Sequence, residues 1–175
     1  VPMLARALQD AEPGVRRVAF SALGGLGRGA IDALPRMIEA LRDEDIAWSA
    51  PPALASLGSA AAPTLLKALR SSDVKVRLCL EKALSLMRGD AVPALRDWMN
   101  DASEEDRAVA VRILADMEPV PDEALPMLLE GLRDSSSRVR VDAAYGLQRM
   151  GPRAEAAIPD LVRALGGGEE TSKTC

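Results

Sequence analysis

Six prolines define the problem this chain has to solve: Pro2, Pro35, Pro63, Pro93, Pro126 and Pro159 recur at spacings of 33, 28, 30, 33 and 33 residues. Periods of that length mark architectures in which one supersecondary unit is stacked on copies of itself. Two apolar columns keep step with the prolines. The residue before each is Val1, Leu34, Ala62, Val92, Leu125 and Ile158, and the residue six places after it is Leu8, Leu41, Leu69, Met99, Leu132 and Leu165. Both columns predict core. Eight places after each proline stand Asp10, Asp43, Ser71, Asp101, Asp134 and Gly167, a turn column that is regular except at its third and last members.

The clearest copy runs from Ala124 to Gly151. Leu125, Leu128, Leu129 and Leu132 have the spacing of a helix with one buried face. Pro126 suits its first turn, where the missing amide would have had no partner. Asp134 and the serines after it break the period, because their side chains compete for backbone hydrogen bonds and favour turns and caps. A second helix follows. Val139, Ala143, Gly146, Leu147 and Met150 share its inner face, and Gly151 is placed as the left-handed residue that ends it. Such a hairpin carries two apolar stripes and cannot bury both alone, so neighbouring copies must cover what it leaves open. In the second helices Val15-Arg16, Val76-Arg77 and Val139-Arg140 hold one place, joined by Asp106-Arg107 and, after a short deletion, by Ile46-Ala47. Further on, Leu23, Leu54, Leu84, Leu114 and Leu147 align.

The helix-one proline, the turn aspartate, the Val-Arg pair and a closing Ala-Leu-x-x-Leu/Met-Gly make the chain resemble HEAT repeats. More specifically it resembles the phycobilisome-lyase-type (E/Z-type) HEAT-like repeats of bacteria. The resemblance implies an all-α fold, a right-handed α-solenoid of about five and a half stacked helical hairpins, starting near residues 1, 34, 62, 92, 125 and 158. These form a single array over residues 1–166, and residues 167–175, which lack apolar periodicity, form a flexible tail. It also implies a noncatalytic scaffold that binds a protein or peptide along a concave wall lined by the second helices. The alternative is an accessory lyase-like module acting on a chromophore-bearing protein. That activity would need a deep apolar pocket and a reactive cysteine.

Composition agrees with thin helical layers. The chain is 48% hydrophobic yet only 2% aromatic, so its centre must be built from Ala and Leu. A formal net charge of −4 argues against nucleic acid as partner, because phosphate binding requires a basic stripe. No apolar run is long enough to predict a membrane span. Cys79 and Cys175 do not make a disulfide framework, Cys79 reads as a small buried hydrophobe, and a cytoplasmic setting is expected. Val1 falls at a repeat boundary, which predicts a fragment, a processed product or one segment of a longer array. At the other end the sixth first-helix lacks its mate. Ile158, Leu161, Val162 and Leu165 would then be poorly covered, which predicts either a crude cap or an end-to-end contact with another protein or copy.

The chemical inventory is thin. With no histidine, a Ser/His/Asp triad, an imidazole zinc site and the His-Glu metal motif of hydroxylase-type HEAT-like enzymes are excluded. No catalytic residue, cofactor or metal site is expected. Gly24 to Gly29, GGLGRG, follows no strand and reads as a helix end rather than a phosphate loop. Asp10, Asp43, Asp101 and Asp134 with Arg16, Arg77, Arg107 and Arg140 read as ties between adjacent repeats.

Departures from the repeat are therefore where function is sought. Pro51 and Pro52 cannot donate to the carbonyls four residues back, so the second helix of repeat two must start near Ser49 or Ala50, with Ser49 as its N-cap and Asp45 to Trp48 in a separate turn. That shortening predicts a notch beside Trp48. In repeat four Trp98 stands in a column otherwise made of Ala and Gly, and Pro119 and Pro121 predict an extended connection to repeat five. Helical geometry on the second helices gives the candidate partner-facing residues: Arg17, Trp48, Pro52, Leu78, Lys82, Arg112, Tyr145 and Arg149, with Ser21, Asp116 and Val141 on the same stripe. Aromatic and arginine anchors are the usual carriers of interface energy.

Overall fold

The computed structural model describes residues 1–70, 73–100, 102–157 and 159; these contain helices and turns and no strand. The chain divides into two compact units, Val1–Trp98 and Met99–Cys175. The first contains α1 (Pro2–Ala7), α2 (Pro13–Gly25), α3 (Leu34–Ala40), α4 (Glu44–Ala47), α5 (Ala50–Ala55), α6 (Ala62–Leu69) and α7 (Val74–Leu86), and α8 (Val92–Met99) runs to its end. The second contains α9 (Glu104–Ala115), α10 (Leu125–Gly131) and α11 (Ser137–Met150). Short 3-10 stretches precede α3, α6, α8 and α10.

Local chemistry explains the boundaries. A proline sits in the first turn of α1, α3, α6 and α10, as the period requires. Where a second helix begins, a short polar side chain satisfies an amide that has no intrahelical partner. Asp73 accepts from the Val76 amide at 3.0 Å, and Ser103 accepts from the Asp106 amide at 3.1 Å. Asp10, Asp43 and Asp134 each accept from the amide two residues on, at 2.9, 3.0 and 2.9 Å, which makes the tight turn into the next helix.

Hairpin partners pack as α1 on α2, α6 on α7 and α10 on α11. Second helices also pack on second helices: α5 lies between α2 and α7 in the first unit, and α9 lies against α11 in the second. The aligned leucines run through these interfaces. Leu23, Leu54, Leu84 and Leu114 are wholly buried and Leu147 is 2% exposed. Leu8, Leu41, Leu69 and Leu132 are buried as well, but Met99 is only half-buried. In the column before the prolines, Leu34, Ala62 and Val92 are core, whereas Leu125 is half-buried and Val1 is exposed.

Repeat two is broken where its prolines require. Glu44 to Ala47 make one helical turn, α4, capped by Asp43, and α5 starts at Ala50 with Pro51 buried and Pro52 exposed. Ser49 does precede α5, but it is not the expected side-chain cap. Its hydroxyl donates back to the Ile46 carbonyl at 3.2 Å, because Pro51 and Pro52 offer no amide for it to accept from. Gly151 ends α11 with φ +60° as expected of glycine, yet its ψ of −135° lies outside the left-handed helical well. Between α9 and α10 the chain turns irregularly from Met117 to Pro121, anchored by buried Met117 and Val120. Trp98 is half-buried with the Arg70 guanidinium 5.3 Å from its ring centroid, and its Nε1 is buried without an acceptor. The sixth first-helix with Ile158, Leu161, Val162 and Leu165, the tail 167–175, Cys175 and the turn residues Ser71, Asp101 and Gly167 lie outside the described residues.

Candidate functional site

Four of the partner-facing candidates converge. Arg17 and Ser21 from α2, Trp48 from the break between α4 and α5, and Pro52 from α5 line one groove of about 760 Å³ in the first unit. Its geometry follows from the two features that set repeat two apart. The short α4 stops before it can fill the space beside α2, and the proline pair starts α5 late. Trp48 then stands at the rim, 77% exposed, and Val18 beside it is 65% exposed. Large apolar groups left in water at a concavity are the ordinary mark of a binding surface. Arg17 is the sole charged side chain among the described residues lining the groove.

The groove floor is set by a close approach of backbones. A Cβ at Gly24 would stand 2.5 Å from Ala53 Cβ and 2.7 Å from Ala53 Cα, so α2 and α5 meet where only glycine fits. Ser56 Oγ seals the contact by donating to the Gly24 carbonyl at 2.6 Å. A looser approach occurs in the second unit, where a Cβ at Gly146 would lie 2.8 Å from the Leu128 side chain of α10 and 3.2 Å from Ala115 Cβ of α9. Small residues flanking the aligned leucines (Gly24 after Leu23, Ala53 before Leu54, Ala115 after Leu114, Gly146 before Leu147) would have disclosed this contact in the sequence. Val18, Gly24 and Ala53 also line the groove but are not among the residues that helical spacing assigns to the partner-facing side.

Leu78 and Lys82 lie on α7, both exposed, and are outside the residues lining the groove. In the second unit Val141 and Tyr145 are exposed on α11 at 67% and 49%. Arg149 is already engaged: it pairs with Glu118 at 2.5 Å, and its guanidinium lies 5.7 Å from the Tyr145 ring centroid. Arg112 is half-buried beside Asp142, whose pKa is raised by burial and pulled back by the charges of Arg112 and Arg138. Asp142 Oδ2 is buried with no hydrogen-bond partner. Asp116 is exposed and adds a like charge to that neighbourhood.

The polar ladder does structural work. Arg16 Nε donates to Asp43 of the following repeat at 2.5 Å, and its Nη1 donates to the Asp10 and Ala11 carbonyls of its own turn at 2.9 and 3.0 Å. Arg107 repeats the design: two bonds to Asp134 at 2.7 and 3.0 Å and one to the Ala102 carbonyl at 3.1 Å. Each guanidinium thus closes its own turn and grips the next. The hydrogen bond from Arg16 lowers the pKa of Asp43, and that from Arg107 lowers the pKa of Asp134. Repeat two has Ala47 in the arginine place, and there an exposed pair, Lys75 with Glu44, joins it to repeat three instead. Cys79 is buried, and desolvation pushes its thiol pKa up to about 12. It is a core side chain and no nucleophile at neutral pH.

Among the described residues no helix is long and apolar enough to cross a membrane, and no cluster of His, Cys, Asp or Glu could hold a metal ion. Residues 92–171 match the family model described as HEAT repeats. The chain is similar to an engineered protein of known crystal structure, with 22% identity over 98% of this chain and 89% of that one, at a TM-score of 0.42. It is similar also to a designed armadillo repeat protein solved in complex with the peptide (KR)4, with 19% identity over 98% of this chain and 92% of that one, at a TM-score of 0.46. Comparison with curated proteins yields no match.

Proposed function

We propose that the protein is a noncatalytic interaction scaffold that holds a protein or peptide partner on the exposed face of its second helices, with the groove beside Trp48 as the principal contact. The observation that carries this reading is the indole of Trp48, 77% exposed at the rim of a 760 Å³ groove that its own repeat does not fill. An aromatic side chain kept in water is costly to solubility and useful to binding. Tyr145, half exposed on α11, is proposed as a second anchor, and the repeat pattern resembles that of the phycobilisome-lyase-type HEAT-like repeats. The accessory lyase-like reading draws no support from Cys79, which is buried and held protonated. Nucleic acid is disfavoured by the net charge of −4.

The test is a pair of substitutions read by melting and by partner capture. Trp48→Ala should leave stability within about 1 kcal/mol of the parent, since an exposed side chain gives up little on truncation. It should weaken partner binding by about 2 kcal/mol or more. If Trp48→Ala and Tyr145→Ala both left binding untouched in a folded protein, the second-helix face would not be the docking surface.

A further inference from the structure

The residues around the groove also specify what kind of chain it takes, and this deepens the docking reading on which it rests. In the first unit α5 lies between α2 and α7, so three second helices present their exposed sides together. Alignment of Val15-Arg16 with Val76-Arg77 puts Lys82 of α7 in the place that Ser21 holds on α2, and Ser21 lines the groove. One cation therefore stands on each outer helix, Arg17 on α2 and Lys82 on α7, with Trp48 on the repeat between them. Both cations are exposed, and among the described residues no carboxylate pairs with either. Among the described residues no carboxylate lines the groove. In α4, the acidic turn before Trp48, Glu44 is held by Lys75, while Asp45 is exposed and is not among the groove-lining residues.

This local pattern, cation, aromatic, cation, runs against the charge of a chain whose formal net charge is −4. From it we infer that the first unit binds an extended acidic peptide segment, with an apolar side chain seated against Trp48 and a carboxylate on either side of it. Packed helices sit about 8–10 Å apart, so Arg17 and Lys82 are separated by roughly two such steps, about 16–20 Å. An extended chain covers that span in about five or six residues. The two carboxylates of the ligand thus stand about five residues apart, with the apolar residue near the middle. A nucleic acid strand would also place negative charge and a stacking ring here. Two cations spread over three helices, on an acidic protein, are too sparse to track a phosphate backbone, and the remaining groove lining is uncharged, with Ser21, Ser49 and Ser56 set among apolar residues.

The experiment uses the whole chain and a fluorescein-labelled peptide with one phenylalanine midway between two glutamates at that spacing, read by anisotropy. Matched probes replace the glutamates with glutamines, replace them with lysines, or set them side by side. The acidic, correctly spaced peptide should bind about ten-fold or more tightly than the other three, and added salt should weaken it. Exchanging charge in Arg17→Glu/Lys82→Glu, both exposed positions that leave the core intact, should reverse the preference toward the lysine peptide, with circular dichroism confirming the fold. Equal or tighter binding of the glutamine or lysine peptide to the parent protein would overturn the acidic assignment while leaving the docking groove standing. A single-stranded oligonucleotide that outcompeted the acidic peptide would overturn it too. Binding of none of the peptides by the folded protein would remove the groove itself as a docking site.

Discussion

Two aspartates in the second unit respond to their surroundings in opposite senses. Asp134 accepts two hydrogen bonds from Arg107 and one from the Ser136 amide, all favouring the carboxylate, and its pKa is lowered. Its contribution to stability is therefore complete above the ordinary aspartate range and lost as pH falls through the lowered value. Asp142 is raised, chiefly by burial, so the folded state prefers it protonated and its charge opposes folding increasingly as pH rises above that range. Asp134→Asn should cost about 1 kcal/mol at neutral pH and almost nothing in strong acid, since the pair is partly exposed. Asp142→Asn should instead raise the melting temperature at neutral pH, by about 1 kcal/mol in stability, and lose that advantage near pH 4. Urea unfolding across pH measures both, and parallel pH profiles for the two variants would contradict the assignment.

At the scale of helices, the second helices are held by two kinds of contact that should fail differently. Leu84 is wholly buried in α7, and Leu84→Ala would leave a cavity costing about 2 to 5 kcal/mol. Gly24→Ala adds one methyl where Ala53 already stands at 2.5 Å, and forcing α2 from α5 should cost about 1 to 3 kcal/mol. The leucine variant lowers stability without reshaping the groove, while the glycine variant displaces the wall that carries Arg17 and Ser21. Comparing melting with peptide affinity for each distinguishes them: affinity lost in Gly24→Ala and kept in folded Leu84→Ala is the expected pattern.

Over the whole molecule, what could be read in the sequence is what recurs. The prolines, the leucine column and the turn aspartates recur with the period, and a feature repeated in phase identifies itself as structural. Pro51 and Pro52 were equally legible, because their lack of an amide dictates the break in repeat two whatever surrounds them. Pairings across repeats were harder. Glu44 with Lys75 and Glu118 with Arg149 join residues 31 positions apart, an offset set by how one hairpin lies on the next rather than by any local pattern. Ser49 misled for a related reason: its type suits a cap, but the prolines after it leave nothing to cap. The candidate set dispersed likewise, since Arg17, Ser21, Trp48 and Pro52 meet in one groove while Arg112 and Arg149 are engaged by Asp142 and Glu118.

The chain has two tryptophans, and they stand in unlike surroundings: Trp48 is bathed in water at the groove rim, Trp98 is half-buried beneath Arg70. Indole emission shifts to shorter wavelength when water is taken from the ring. A side chain seated in the groove would dry one emitter and leave the other as an internal standard, so this protein has an optical gauge of its own occupancy built into its sequence.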